Sequence, residues 1–215
     1  MSTDSTSKDA DLPYPPAPWH LVGTLYASLW SIPLKDLPLP LPPGTRPLTL
    51  YGRTLIGTAW AVYEPPGTLS YDELLVALRV QSDNRTCTYV PLIWVDSPAS
   101  VAGARAMWGI PKEFASFGKR ITDDSFEASA AHGDNVFASL NFRPRVSLPG
   151  RWPLRTSIVQ THGEGVRLSR ARASARIETG RAEWHFATHS PLRFLGNYTP
   201  LLSARLSEMK LTFGL

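Results

Sequence analysis

Lys112 follows Pro111 at the end of a segment that opens with Asp96-Ser97-Pro98 and closes with Trp108-Gly109-Ile110. One of only five lysines therefore sits just past an expected helix terminus, on backbone stiffened by proline. An amine held in such a place and stripped of water is a nucleophile for carbonyl carbon and forms a Schiff base. The same residue also reads as a solvated lysine after a turn, because lysines are almost always exposed. A second group of interest is Glu73, in Tyr71-Asp72-Glu73-Leu74-Leu75. On local chemistry it is either an exposed carboxylate or the third residue of a capping box opened by Ser70.

The elements that must position the lysine can be read locally. Ser97 is a good N-cap, Pro98 suits the first helical position, and no proline interrupts residues 99–108. Gly109 fits the left-handed residue that closes a helix. Val101, Ala104 and Trp108 fall on one face of that helix. Ile110 precedes a proline and is biased to extended backbone, so Lys112 begins a strand or turn leaving the helix end. In an extended segment, neighbouring side chains point to opposite faces, which directs Glu113 away from whatever Lys112 enters.

The run from Trp94-Val95-Asp96 through Ala104-Arg105 to Pro111-Lys112 resembles the acetoacetate decarboxylase family, in which an aspartate, an arginine before a short spacer, and Pro-Lys recur in this order. The resemblance implies that Lys112 is the Schiff-base lysine. Tyr71-Asp72-Glu73 is similar to the family's Tyr-x-Glu segment, which implies that Glu73 lies in the active site facing Lys112. In that setting residues 74–80 read as a buried strand, short and rich in branched side chains. The resemblance further implies a cone-like double-sheet barrel enclosing a pocket, in the mainly β (α+β) class with a few helices. It also implies a small oxo acid or related carbonyl compound as substrate, and a homo-oligomer. It spans residues 19–150 and fades afterwards.

Two departures bear on the chemistry. The family's best-known members carry a second lysine after the first, proposed to depress its pKa; here that place is Glu113. Burial must then supply the whole downward shift, which reaches about three to five units for fully buried lysines, against the opposing pull of the preceding helix C-terminus. The family's N-terminal arginine aligns near Gly23, and residues 21–30 hold no basic side chain. Arg53, Arg79 and Arg105 are the candidates to bind a substrate carboxylate, while Arg105 equally suits a tie between helix and sheet. Trp94, Met107 and Ile110 are the apolar groups expected to desolvate the lysine. The leading reading is a decarboxylase-like lyase. Aldol, retro-aldol or dehydration chemistry through the same lysine is the nearer alternative, and a non-catalytic barrel with Lys112 as counter-ion is the more distant one.

The chain has 215 residues and ordinary apolar and charged fractions, which suit one folded domain over residues 12–215 behind a disordered, Ser/Thr/Asp-rich tail at residues 1–11. The tail lacks the basic start and apolar stretch of a secretory signal, and a lone Cys87 excludes a disulfide scaffold and reads as a buried strand thiol. These features place the protein in the cytoplasm, and the apolar stretch at residues 21–34 is too short for a membrane helix. The proline-rich residues 37–43 read as an extended connector whose leucines pack on the fold. Alternating runs predict strands at residues 126–130, 136–142 and 157–161, and a hairpin of residues 166–177 with 182–188 turning at residues 178–181. Residues 192–209 read as helical. Arg170, Arg172 and Arg176 share a strand face but lack interleaved aromatics, so no nucleic-acid partner is expected. His185 and His189 would lie roughly 13 Å apart on a strand, and neither a metal nor a cofactor is expected.

Overall fold

The structure is a computed structural model describing residues 12–215; the expected disordered tail lies outside the described residues. Along the chain come β1 (Trp19–Pro33), a short turn of 3-10 helix (Leu34–Asp36), β2 (Thr45–Pro47), β3 (Thr49–Leu50), β4 (Arg53–Glu64), β5 (Tyr71–Ser82) and β6 (Arg85–Val95). The helix α1 (Pro98–Trp108) follows, then β7 (Lys112–Phe114), β8 (Ser116–Ile121), β9 (Phe126–His132), β10 (Asn135–Ser147) and β11 (Trp152–His162). The chain ends with β12 (Gly165–Phe186), a second 3-10 turn (Arg193–Leu195) and β13 (Leu202–Phe213). This is the expected mainly β class.

The strands are joined in the order β11-β6-β5-β4-β1-β13-β12, and β12 pairs back onto β11, so the sheet closes into a ring. Strands β10, β9 and β8 continue from the far half of β12 and form a second layer, while β2, β3 and β7 pair with β5, β4 and β6. Two apolar clusters result. One lines the inside of the ring and includes Trp19, Tyr63, Tyr71, Ile93, Trp108 and Phe213. The other lies between the ring and the second layer and includes Trp30, Trp60, Leu74, Trp94, Phe126 and Phe137. Strand β5 is covered on both faces, which is why residues 74–78 are continuously apolar rather than alternating. Leu37, Leu39 and Leu41 pack against the second cluster, as expected for a connector, and Cys87 is buried there.

Two expected elements differ. Residues 192–209 hold no α-helix: after the short Arg193–Leu195 turn the chain enters β13. The cause is a bulge, since Gly23 pairs with Met209 but Leu25 pairs with Leu206, and Glu208 takes a positive φ of 48°. The extra residue turns a strand's two-residue period into a three-residue gap between Leu206 and Met209 that imitates a helix. The expected hairpin is one continuous strand, because residues 178–181 pair with β10 and do not turn. Gly180 allows close approach: a Cβ there would lie 2.3 Å from Phe142 and 2.5 Å from the Arg143 carbonyl. Arg170, Arg172 and Arg176 do stand exposed on one face of β12.

Helix α1 forms as expected. The Ser97 hydroxyl accepts from the Ser100 N–H at 3.2 Å, and Gly109 closes the helix with φ 66°. Val101, Ala104 and Trp108 bury their common face inside the ring. A Cβ on Gly109 would meet the Thr161 carbonyl at 2.4 Å. Gly109→Ala therefore combines left-handed strain with a backbone clash and is expected to cost about 2 kcal/mol or more in urea denaturation. An unchanged midpoint would show that the helix end can shift freely.

Candidate active site

Lys112 opens β7, which lies parallel to β6 with Lys112 beside Ile93. The N–H of Lys112 donates to the Ile110 carbonyl at 2.8 Å, and Arg105 donates from Nε to the Lys112 carbonyl at 2.7 Å. The lysine backbone is thus held from both sides by the end of α1. Its side chain is buried, with 4% exposure, and enters a cavity of about 360 Å³ inside the ring.

Inside the cavity the ammonium donates to Glu73 Oε2 at 2.6 Å, to the Ser100 hydroxyl at 2.9 Å and to the Tyr71 hydroxyl at 3.1 Å. It also stands 4.7 Å from the centroid of the Tyr71 ring. The other Glu73 oxygen accepts from the Tyr63 hydroxyl at 3.3 Å. These positions follow from the strand period: Tyr71 and Glu73 share the inner face of β5, and Tyr63 lies directly across from Tyr71 on β4. Ser100 comes from the first turn of α1, on the face that looks into the ring. Edge contacts of Trp108 with Trp19 and Phe213, at 4.8 and 4.6 Å, wall the same end. Of the expected catalytic pair, the structure brings Lys112 and Glu73 together.

The electrostatics run against one expectation. Burial is the largest single influence on Lys112 and pushes its pKa down, but the charge of Glu73, the neighbouring Tyr71 and the hydrogen bonds to both outweigh it. The amine is therefore held above the ordinary lysine value, not below it. Burial first and the Glu73 charge second push the Tyr71 hydroxyl up to about 12, against the lowering effect of Lys112. The same two causes hold Tyr63 well above the ordinary tyrosine value. One buried carboxylate is surrounded by groups that retain their protons.

Glu113 takes no part in this. It lies across the strand from Lys112 and accepts from Trp94 Nε1 at 3.0 Å. Glu113→Gln keeps that acceptor and is expected to change stability by less than about 0.5 kcal/mol and to leave the Lys112 titration in place. A drop in the Lys112 pKa, followed by pH-dependent acylation, would show that the two side chains communicate.

Several expected substrate-binding residues are placed elsewhere. Ile110 lines the cavity, but Trp94 does not. Ile93 and Val95 face the ring interior, so the intervening Trp94 points to the other cluster and packs on Phe137. Met107 is half-buried against the inner cluster without lining the cavity. Arg105 holds the Lys112 backbone, Arg53 bonds Ser31, and Arg79 bonds Thr88 and Thr156; none of the three lines the cavity. Nor is there space for an arginine at position 23, where a Cβ would stand 1.9 Å from the Val62 carbonyl. The groups not foreseen are Tyr63, Tyr71 and Ser100. Tyr71 was within reach of the strand period, and Ser100 of the helix face that holds Ala104 and Trp108.

Asp96 and Asp72 serve as ties. Asp96 Oδ1 accepts from the Asp72 N–H at 2.9 Å, and Lys119 donates to both Asp72 carboxylate oxygens at 2.8 and 2.7 Å. Both contacts fix β5 next to Glu73. Among the described residues, no three His, Cys, Asp or Glu side chains come together as a metal site, and no helix is long and apolar enough to cross a membrane.

Ring, second layer and buried lysine together define a barrel of the acetoacetate decarboxylase kind. The family profile described as acetoacetate decarboxylase matches residues 40–214, and the chain belongs to that family. Among solved structures it is similar to acetoacetate decarboxylase from Legionella pneumophila, with 16% identity, a TM-score of 0.67, and coverage of 99% of this chain and 95% of that one. It is also similar to the enduracididine biosynthesis enzyme MppR complexed with pyruvate, at 19% identity and TM-score 0.63, covering 98% and 93% of the two chains. A third similar structure is an acetoacetate decarboxylase-like enzyme from Sphingomonas wittichii RW1, at 11% identity and TM-score 0.64, covering 99% and 97%. Comparison with curated protein sequences returned no match.

Proposed function

We propose that the protein is a Schiff-base lyase that decarboxylates an oxo acid through Lys112. The observation that carries this reading is the amine itself: buried on the wall of an apolar cavity, 2.6 Å from a carboxylate able to take its proton. Lys112 is protonated in the resting site, so the first step is proton transfer to Glu73 as the substrate carbonyl arrives. The free amine attacks the carbonyl carbon, a C–N bond forms, and the carbonyl oxygen takes protons from the surrounding acids and leaves as water. The resulting iminium accepts the electron pair of the breaking carbon–carboxylate bond, and carbon dioxide departs. The enamine takes a proton at carbon, and water then hydrolyses the iminium, releasing the ketone and restoring Lys112.

The cavity walls favour that course. A substrate carboxylate that gives up its hydration on entering this cavity is costly to keep charged even beside hydroxyl groups, and its conversion to neutral carbon dioxide removes the cost. Tyr63, Tyr71 and Ser100 supply hydroxyl groups at the reacting carbon and act as proton carriers.

A second reading keeps the Schiff base and replaces decarboxylation by aldol or dehydration chemistry. It is supported by the proton-accepting carboxylate beside the amine and by the lack of an arginine on the cavity wall. MppR has been solved with the condensation product of pyruvate and imidazole 4-carboxaldehyde. Borohydride reduction in the presence of acetoacetate or pyruvate, followed by peptide mapping, tests the common step: the reduced adduct is expected on Lys112. Equal labelling of Lys8, Lys35, Lys119 and Lys210 would refute a Schiff-base role. Carbon dioxide release separates the two reactions.

A further inference from the structure

The charged and phenolic side chains of the cavity gather at one end. Reading inward along β5, the side chains facing it are Tyr71, Glu73, Leu75 and Ala77; the inner row of the adjacent β4 is Tyr63, Ala61, Ala59 and Gly57, in register with them. Tyrosines and the Lys112–Glu73 pair thus occupy the first two layers. Below them the β4 row shrinks to alanine and glycine, and β5 contributes Leu75 and then Ala77. From Glu73 to Ala77 this lower part runs ~13 Å along the strand. Its other walls are mainly apolar, with Leu25, Ala27, Leu154, Ala173 and Leu206 among them; Thr156 also lines it, its hydroxyl already tied to Thr88 and Arg79. A volume of about 360 Å³ falls in the range of pockets for drug-sized ligands, about 300–1,000 Å³, and exceeds what a four-carbon acid can fill.

We infer that the substrate is a 3-oxo acid with an unbranched aliphatic tail, bound with its carbonyl at Lys112 and its tail along the Gly57–Ala77 end. This inference rests on the Schiff-base reading above. The carboxylate then lies toward the Tyr63, Tyr71 and Ser100 hydroxyls, and the tail occupies the layers below, where the described lining carries no charged side chain. The reaction converts the 3-oxo acid and a proton into carbon dioxide and a methyl ketone. Small side chains at positions 27, 57, 59 and 77 keep the lower cavity open, as a strand-lined tail channel requires.

The test compares acetoacetate, 3-oxohexanoate, 3-oxooctanoate and 3-oxodecanoate by carbon dioxide release and by borohydride trapping. If the tail is buried as inferred, kcat/KM rises roughly fourfold per methylene until the cavity is full, carried mainly by KM. Gly57→Val narrows the far end on a backbone that tolerates it, since a Cβ there meets nothing nearer than 3.8 Å. In that variant, and independently in Ala77→Val, the ratio of kcat/KM for 3-oxodecanoate over acetoacetate is expected to fall at least tenfold. Trapping on Lys112 with kcat/KM flat or falling along the series would overturn the tail inference and leave the Schiff-base reading intact. Failure to trap any of the four acids on Lys112 would overturn both.

Discussion

Lys112→Met is expected to eliminate borohydride trapping and carbon dioxide release, and to lower stability by about 3–5 kcal/mol at neutral pH. The activity loss follows from removal of the only amine that lines the cavity among the described residues. The stability loss has a different origin. Glu73 is 4% exposed, and without the ammonium its carboxylate keeps, among the described residues, the Tyr63 hydroxyl as partner. A buried charge left in that state costs far more than the intact pair contributes, so Lys112→Met/Glu73→Leu should recover most of the stability and none of the activity. Urea denaturation of the parent, the two single variants and the double variant measures the coupling. A single-variant loss below about 1 kcal/mol would show that water reaches the carboxylate.

The second large effect concerns alkaline pH. Lys112 has its folded pKa raised above its unfolded value, so the stabilisation it supplies is complete below the unfolded value and lost as pH rises through the folded one. Tyr71, raised from 10.0 to about 12, acts in the same direction: the unfolded chain releases this proton first, and the fold loses stability across that interval. At about 1.4 kcal/mol per unit, Tyr71 alone accounts for about 3 kcal/mol between pH 10 and 12. Tyr63 adds to the loss with the same sign. Denaturation midpoints at pH 8, 10 and 11.5 should fall steeply in the parent and less steeply in Tyr71→Phe. A parent protein equally stable at pH 8 and 11.5 would contradict the proton-holding cluster.

The local signals around Lys112 were legible because each acts within a few residues: Ser97 as a cap, Gly109 as a left-handed stop, and Glu113 diverging by the strand period. Reading Glu73 as facing the lysine required the family resemblance, since Glu73 and Lys112 are far apart in the chain and meet only through β6 and α1. The misreadings share one cause. Trp94 is a single residue out of phase with the cavity face, and in a strand that places it in the other core. At Leu206 and Met209 a bulge shifted the phase, and at residues 178–181 a glycine needed for close packing imitated a turn. Phase errors of this kind are set by tertiary pairing and leave no local trace. The direction of the Lys112 pKa belongs to the same class, because it is decided by partners from β5.

β13 lies between β1 and β12, with Phe213 paired to Trp19 on one side and to Ala171 on the other. The first and last strands of the barrel are therefore neighbours, and the ring is completed only by its last strand in chain order. While β1 to β12 are emerging, Leu21, Leu25 and the alanines of β12 have an open edge where the wall should be, a surface prone to self-association. Nascent chains arrested before residue 202 should expose that edge to a holdase chaperone, and Lys112 is enclosed only when synthesis passes Phe213. Non-local closure of this type makes folding slow and late.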